Sequence, residues 1–119
     1  MKQVLFLLSA WLWVSLSFAQ SPEWKQFQAP GKASLRGLSP ISDQLCWASG
    51  SGGTWLKTED GGASWQTGTV AGLDSVDFRS IHAFDAQTAV VASAGQPAVI
   101  YRTANGGKTW EKIHQEGGE

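Results

Sequence analysis

With Cys46 as its only cysteine, this 119-residue chain has no pair from which to close an internal disulfide. It also lacks an excess of either charge: 9 Lys and Arg stand against 10 Asp and Glu, which excludes a basic nucleic-acid face and an acidic solvated tail. Beyond the first twenty residues no apolar run approaches the roughly 20 residues that cross a bilayer, and no stretch there carries a sustained helical period. The two histidines, His82 and His114, stand apart, without the spacing of a metal site or of a nucleophile and its base, so neither metal nor cofactor is implied. Gly50-Ser51-Gly52-Gly53 is glycine-rich but is followed by neither the Lys and Ser or Thr of a phosphate loop nor a helix, and reads as a hairpin turn. Cys46, within a strand-like segment, reads as a small buried apolar residue.

What is present begins with an address. Met1-Lys2-Gln3 is a short basic start, Val4 to Leu16 is nearly all apolar, and Ser17-Phe18-Ala19 sets small residues where a signal peptidase reads. Residues 1–19 are therefore expected to be a signal peptide, leaving Gln20 first in an exported protein of the periplasm or extracellular space, with no membrane attachment after cleavage.

The rest is organised by an echo. Thr58-Glu59-Asp60-Gly61-Gly62-Ala63-Ser64-Trp65 returns as Thr103-Ala104-Asn105-Gly106-Gly107-Lys108-Thr109-Trp110, 45 positions later, and that period is one four-stranded propeller blade used twice. The flanks agree as well. Leu35-Arg36-Gly37-Leu38 answers Phe78-Arg79-Ser80-Ile81; Gln44 to Ser49 answers Gln87 to Ala92; Trp55-Leu56-Lys57 answers Ile100-Tyr101-Arg102. A two-residue insertion separates the second and third matches, where a loop absorbs it.

Each unit reads as four short strands bounded by Pro, Gly, Ser and Asp. The first unit has them near Ala33 to Ser39, Gln44 to Ser49, Thr54 to Thr58 and Ser64 to Thr69. The second has them near Asp77 to Phe84, Gln87 to Ser93, Ala98 to Thr103 and Thr109 to His114. The expected fold is all-β: two antiparallel propeller blades, residues 33–72 and 73–119, forming an incomplete ring. Residues 20–32 are expected to hold a lone outer strand, since Trp24-Lys25-Gln26-Phe27 matches Trp110-Glu111-Lys112-Ile113, and a propeller often closes by lending such a strand to its last blade. About two blades do not make a ring, so the remaining blades are expected further along a longer chain or from self-assembly.

In the shared octet, Asp60-Gly61 and Asn105-Gly106 signal a tight turn in which Asp, Asn or Gly takes positive φ. Asp60 is expected to accept from nearby amides and from Ser64, Asn105 to make a neutral version with Thr109, and Trp65 and Trp110 to open the outgoing strand and cover the hairpin. A carboxylate matched by a carboxamide argues for a turn lock rather than an acid or a metal ligand.

Thr58, Asp60, Gly62, Ser64 and Trp65, with Thr103, Asn105, Gly107, Thr109 and Trp110, fit the Asp-box, or bacterial neuraminidase repeat, with Asn105 replacing the Asp of the second copy. The chain thereby resembles the propellers of the photosystem II stability and assembly factor family and its exported bacterial relatives. The resemblance implies a non-catalytic interaction or assembly scaffold whose boxes are structural, lying away from the functional face. Sialidases share the box, and the alternative it implies is an exported glycosidase or glycan binder with its catalytic residues beyond Glu119. Their layout uses clustered arginines, a tyrosine and acidic groups, and Arg36, Arg79, Arg102 and Tyr101 do not assemble it without further blades.

Arg36 and Arg79 recur at one place on the innermost strand, which lines the channel or its rim. They are the candidate residues for binding a protein partner or glycan there. The plainer expectation is that each pairs with an aspartate such as Asp77 or Asp85.

Overall fold

The computed structural model describes residues 21–117, so the expected signal peptide, residues 1–19, lies outside them. β-Branched and aromatic residues, broken by glycine-bearing turns, form eight strands. They are β1 (Leu35–Pro40), β2 (Cys46–Gly50), β3 (Thr54–Thr58), β4 (Gln66–Thr69), β5 (Phe78–Ala83), β6 (Ala89–Ser93), β7 (Ala98–Thr103) and β8 (Glu111–Glu116). They make two four-stranded antiparallel sheets in sequential order, β1-β2-β3-β4 and β5-β6-β7-β8, which are two propeller blades.

The register reproduces the sequence repeat. Cys46 pairs with Thr58 and Trp47 with Lys57 in the first sheet, as Ala89 pairs with Thr103 and Val90 with Arg102 in the second. The inserted residues fall in the β6–β7 hairpin, at the place of the tight Ser51–Gly53 turn between β2 and β3. Both box tryptophans end their loops one residue before the outer strand rather than opening it. Residues 21–29 pair with no strand among the described residues, and Trp24 is 95% exposed. An outer strand needs an inner one to pair with.

The two blades share one core. Trp47 and Trp55 from the first sheet, and Phe78, Ile81, Val91 and Val99 from the second, form a single buried cluster, with Tyr101 and Trp110 packed against it. The sheets meet along β1 and β5 and diverge outward, as wedge-shaped blades do. Gly37 permits that approach: a Cβ there would lie 2.5 Å from Ser49 Oγ and 3.0 Å from the Ile81 backbone nitrogen. Two bonds join the sheets beside this approach. Ser49 Oγ donates to Phe78 O at 3.0 Å, and Ala83 N–H donates to Ser39 Oγ at 2.9 Å.

Candidate functional site

The boxes are closed turns. Asp60 Oδ1 accepts from Thr58 Oγ1 at 2.9 Å and from Ser64 N–H at 2.8 Å, while Asp60 Oδ2 accepts from the Ser64 hydroxyl. Thr58 Oγ1 in turn accepts from Gly62 N–H at 2.9 Å. In the second box Asn105 Oδ1 accepts from Thr103 Oγ1 at 3.0 Å and from Thr109 N–H at 2.9 Å, and Gly107 N–H donates to Thr103 Oγ1 at 2.9 Å. One bond runs the other way: Asn105 Nδ2 donates to Thr109 Oγ1 at 2.7 Å, where the carboxylate of Asp60 accepts. The donation from Ser64, its backbone N–H and the Thr58 hydroxyl hold the Asp60 carboxyl below the usual carboxylate range. Such a group stays ionised and is a poor proton donor.

The positive φ that these turns require is taken by glycine in both boxes. The positive angles fall on Gly61 (70°), Gly62 (94°), Gly106 (73°) and Gly107 (94°), and among the described residues on none other than glycine. Glycine takes this conformation without the Cβ clash that burdens Asp or Asn, so each box places its two glycines there.

Arg36 and Arg79 are each the extra residue of a β-bulge. The β1–β2 register breaks between Leu35 and Gly37, and the β5–β6 register breaks between Phe78 and Ser80. A bulged residue leaves the ladder and its side chain is re-aimed, and both arginines are exposed. They lie at the strand ends that pair with Gly50 and Ser93, whereas the boxes continue from the opposite ends, at Cys46–Thr58 and Ala89–Thr103. The expected pairing with Asp77 or Asp85 is corrected: among the described residues neither arginine lies within 4.0 Å of a carboxylate, and the ion pair found there is His114–Glu116 at 3.2 Å. Asp85 is a turn lock instead, accepting from the backbone of Gln87 at 2.8 Å and Thr88 at 2.7 Å. Its carboxyl is held low by those bonds.

The remaining candidates do not converge. Arg102 lies at the box end of β7, away from Arg36 and Arg79, and Tyr101 packs on the core. Cys46 is half-buried, and burial pushes its thiol up, which disfavours the reactive thiolate. His82 is exposed and meets Phe84 edge to face at 4.8 Å. No group of three His, Cys, Asp or Glu suited to a metal occurs among the described residues.

Sequence reasoning missed Lys57. Only 4% exposed, it reaches out of the first blade, and its Nζ donates to Ala86 O at 3.0 Å and Gly106 O at 3.3 Å in the second. It also lies 5.0 Å from the Trp47 ring centre, a cation over an aromatic face. Trp47 Nε1–H donates across the same seam to Asp85 O at 3.1 Å. Trp47, Trp55 and Trp110 gather there with ring centres 5.6 to 6.3 Å apart. The signal available in the sequence was the cation shared by Lys57 and Arg102 at one place in the repeat.

Comparison with known proteins agrees with this architecture. The family described as Photosynthesis system II assembly factor YCF48 matches residues 16–117. A solved structure described as YCF48 bound to D1 peptide is 24% identical with a TM-score of 0.65, over 82% of this chain and 32% of its own. YCF48 from Cyanidioschyzon merolae is 26% identical with a TM-score of 0.61, over 78% of this chain and 30% of its own. The chain thus spans about a third of the length of these relatives. Among curated proteins none matches.

Proposed function

This chain belongs to the photosystem II assembly factor YCF48 family, and from that premise we propose that it is an exported, non-catalytic propeller segment of an assembly scaffold. Its ring face holds an acidic or carboxylate-bearing segment of a partner protein at Arg36 and Arg79. The observation that carries this reading is the repeated bulge, which presents one unengaged guanidinium from the inner strand of each blade. Guanidinium groups free of internal partners are suited to bidentate capture of carboxylates. The solved relative described as bound to a D1 peptide supports a peptide as the kind of ligand. Export is supported by the leader-like residues 1–19, and cell fractionation with N-terminal sequencing checks it by finding Gln20 first. Residues 24–27 supply an outer strand to a blade outside the described pair, as their match to Trp110-Glu111-Lys112-Ile113 supports.

The test is capture of an immobilised acidic peptide by the wild-type chain and by the Arg36→Gln/Arg79→Gln variant, with thermal unfolding in parallel. Loss of capture at unchanged stability is expected. Unchanged capture at unchanged stability would sink the assignment.

A further inference from the structure

The charge buried between the two blades is incompletely answered. Lys57 is 4% exposed, and of the three N–H donors on an ammonium, Ala86 O and Gly106 O take two, at 3.0 and 3.3 Å. The third meets no acceptor among the described residues, and no carboxylate there lies within 4.0 Å of Nζ. Carbonyl dipoles and the Trp47 ring, 5.0 Å away, soften the burial of this charge without neutralising it. The repeat shows what is missing. Across the outer pair of strands Lys57 stands in register with Gln66, whereas Arg102, at the same place in the second blade, stands in register with Glu111. Arg102 and Glu111 are both exposed, so water screens them and they need no contact. Lys57 is covered, and its own blade offers it a neutral amide where the second blade has a carboxylate.

Lys57 opens on a cleft of about 290 Å³, walled on one side by Trp55, Lys57 and Gln66 of the first blade and on the other by Gln87 and the box turn of the second, with Lys108 at its rim. Both walls belong to the described pair, so the cleft is complete without any further blade. We propose that it is a carboxylate-binding site, in which an incoming carboxylate accepts the third N–H of Lys57 and is flanked by the side-chain amides of Gln66 and Gln87 and the ammonium of Lys108. The charge balance sets the class of ligand. Glu59 also lines the cleft and opposes a second negative charge, so a monocarboxylate group suits it better than a phosphate dianion. That group is carried by a small free acid or by an acidic side chain of a peptide. The cleft lies at the box end of the strands, away from the end that holds Arg36 and Arg79, so it is separate from the binding face proposed above.

An NMR titration of the isotope-labelled full chain with sodium acetate tests this, with sodium chloride at equal ionic strength as the blank. Saturable shifts of the Gln66 and Gln87 side-chain amides and of the Trp47 indole N–H are expected with acetate and not with chloride. A blocked peptide carrying a single glutamate, titrated alongside, identifies the source: binding tighter than acetate assigns the site to a protein-borne carboxylate, and weaker binding assigns it to a small free acid. Gln66→Glu installs the carboxylate that Glu111 supplies in the second blade, and it is expected to fold while weakening acetate binding by more than about tenfold. Should Gln66→Glu not fold, Lys108→Met gives a second reading, weakening acetate binding at unchanged stability. Acetate binding retained in Arg36→Gln/Arg79→Gln supports the cleft, and its loss in that variant overturns the proposal. So does a wild-type chain that answers acetate no differently from chloride, a response to inorganic phosphate as strong as that to acetate, or acetate binding indifferent to both Gln66→Glu and Lys108→Met.

Discussion

The ammonium of Lys57 in the first blade donates to the carbonyl of Gly106, inside the box of the second, at 3.3 Å. Forty-nine residues separate the two, and the bond joins the one buried charge of β3 to the turn that closes the next blade. The box is thereby more than a local turn: one of its carbonyls is the receiving half of the blade-to-blade seam.

Lys57→Met retains the apolar stem but leaves Ala86 O and Gly106 O without their donor. The expected loss is about 1–3 kcal/mol, read as a lowered urea midpoint at unchanged slope. Lys108→Met, at an exposed position in the second box, serves as the control and stays within about 0.5 kcal/mol. Equal losses in the two variants would contradict the role given to Lys57.

Gly107 and Gly72 separate crowding from backbone strain. Both have positive φ, 94° and 80°, but a Cβ at Gly107 would meet the Trp55 ring at 2.6 Å, whereas one at Gly72 would meet nothing within 4 Å. Gly107→Ala is expected to cost about 2–4 kcal/mol and Gly72→Ala about 1 kcal/mol. Thermal unfolding of the two variants side by side measures the difference.

The two boxes predict an asymmetric response to acid. Bonds from Ser64 and Thr58 lower the folded-state pKa of Asp60, and the backbone of Gln87 and Thr88 does the same for Asp85. Stabilisation from a lowered carboxyl is present above its unfolded value, about pH 4, and is lost as pH falls through the folded value. Asn105 does not titrate. Asp60→Asn, which can copy the bond from Asn105 to Thr109, is expected to fold and to show a flatter acid limb, with the gap from wild type narrowing below about pH 4. Parallel curves from neutral pH to the acid limit would refute the assignment.

Arg36 and Arg79 are exposed and outside any ion pair among the described residues, so Arg36→Gln/Arg79→Gln is expected to shift stability by no more than about 0.5 kcal/mol. Capture of an acidic peptide by the wild-type chain should weaken as salt rises, because exposed charges are screened. The variant should lose that dependence along with the capture, as titration calorimetry at two salt concentrations would record.

Local signals were legible from the residues alone. The 45-position echo, the β-branched runs and the glycine pairs fixed the blade architecture and nearly all strand positions, because strands and turns answer to neighbours a few residues away. Asp60 against Asn105 was enough to identify a hydrogen-bonded turn, since one geometry is built from both. Contacts between blades decided the rest. Burial of Lys57, the place of Trp47 and Trp55 in a shared core, the lack of an aspartate beside Arg36 and Arg79, and the seat of Phe27 on Gly62 all depend on segments about 30 to 50 residues apart meeting in space, and no periodicity along the chain encodes them. The bulges at Arg36 and Arg79 are of the same kind: two residues on one strand facing one on the next is a property of the pairing, and it is the pairing that turns both arginines out of the ladder.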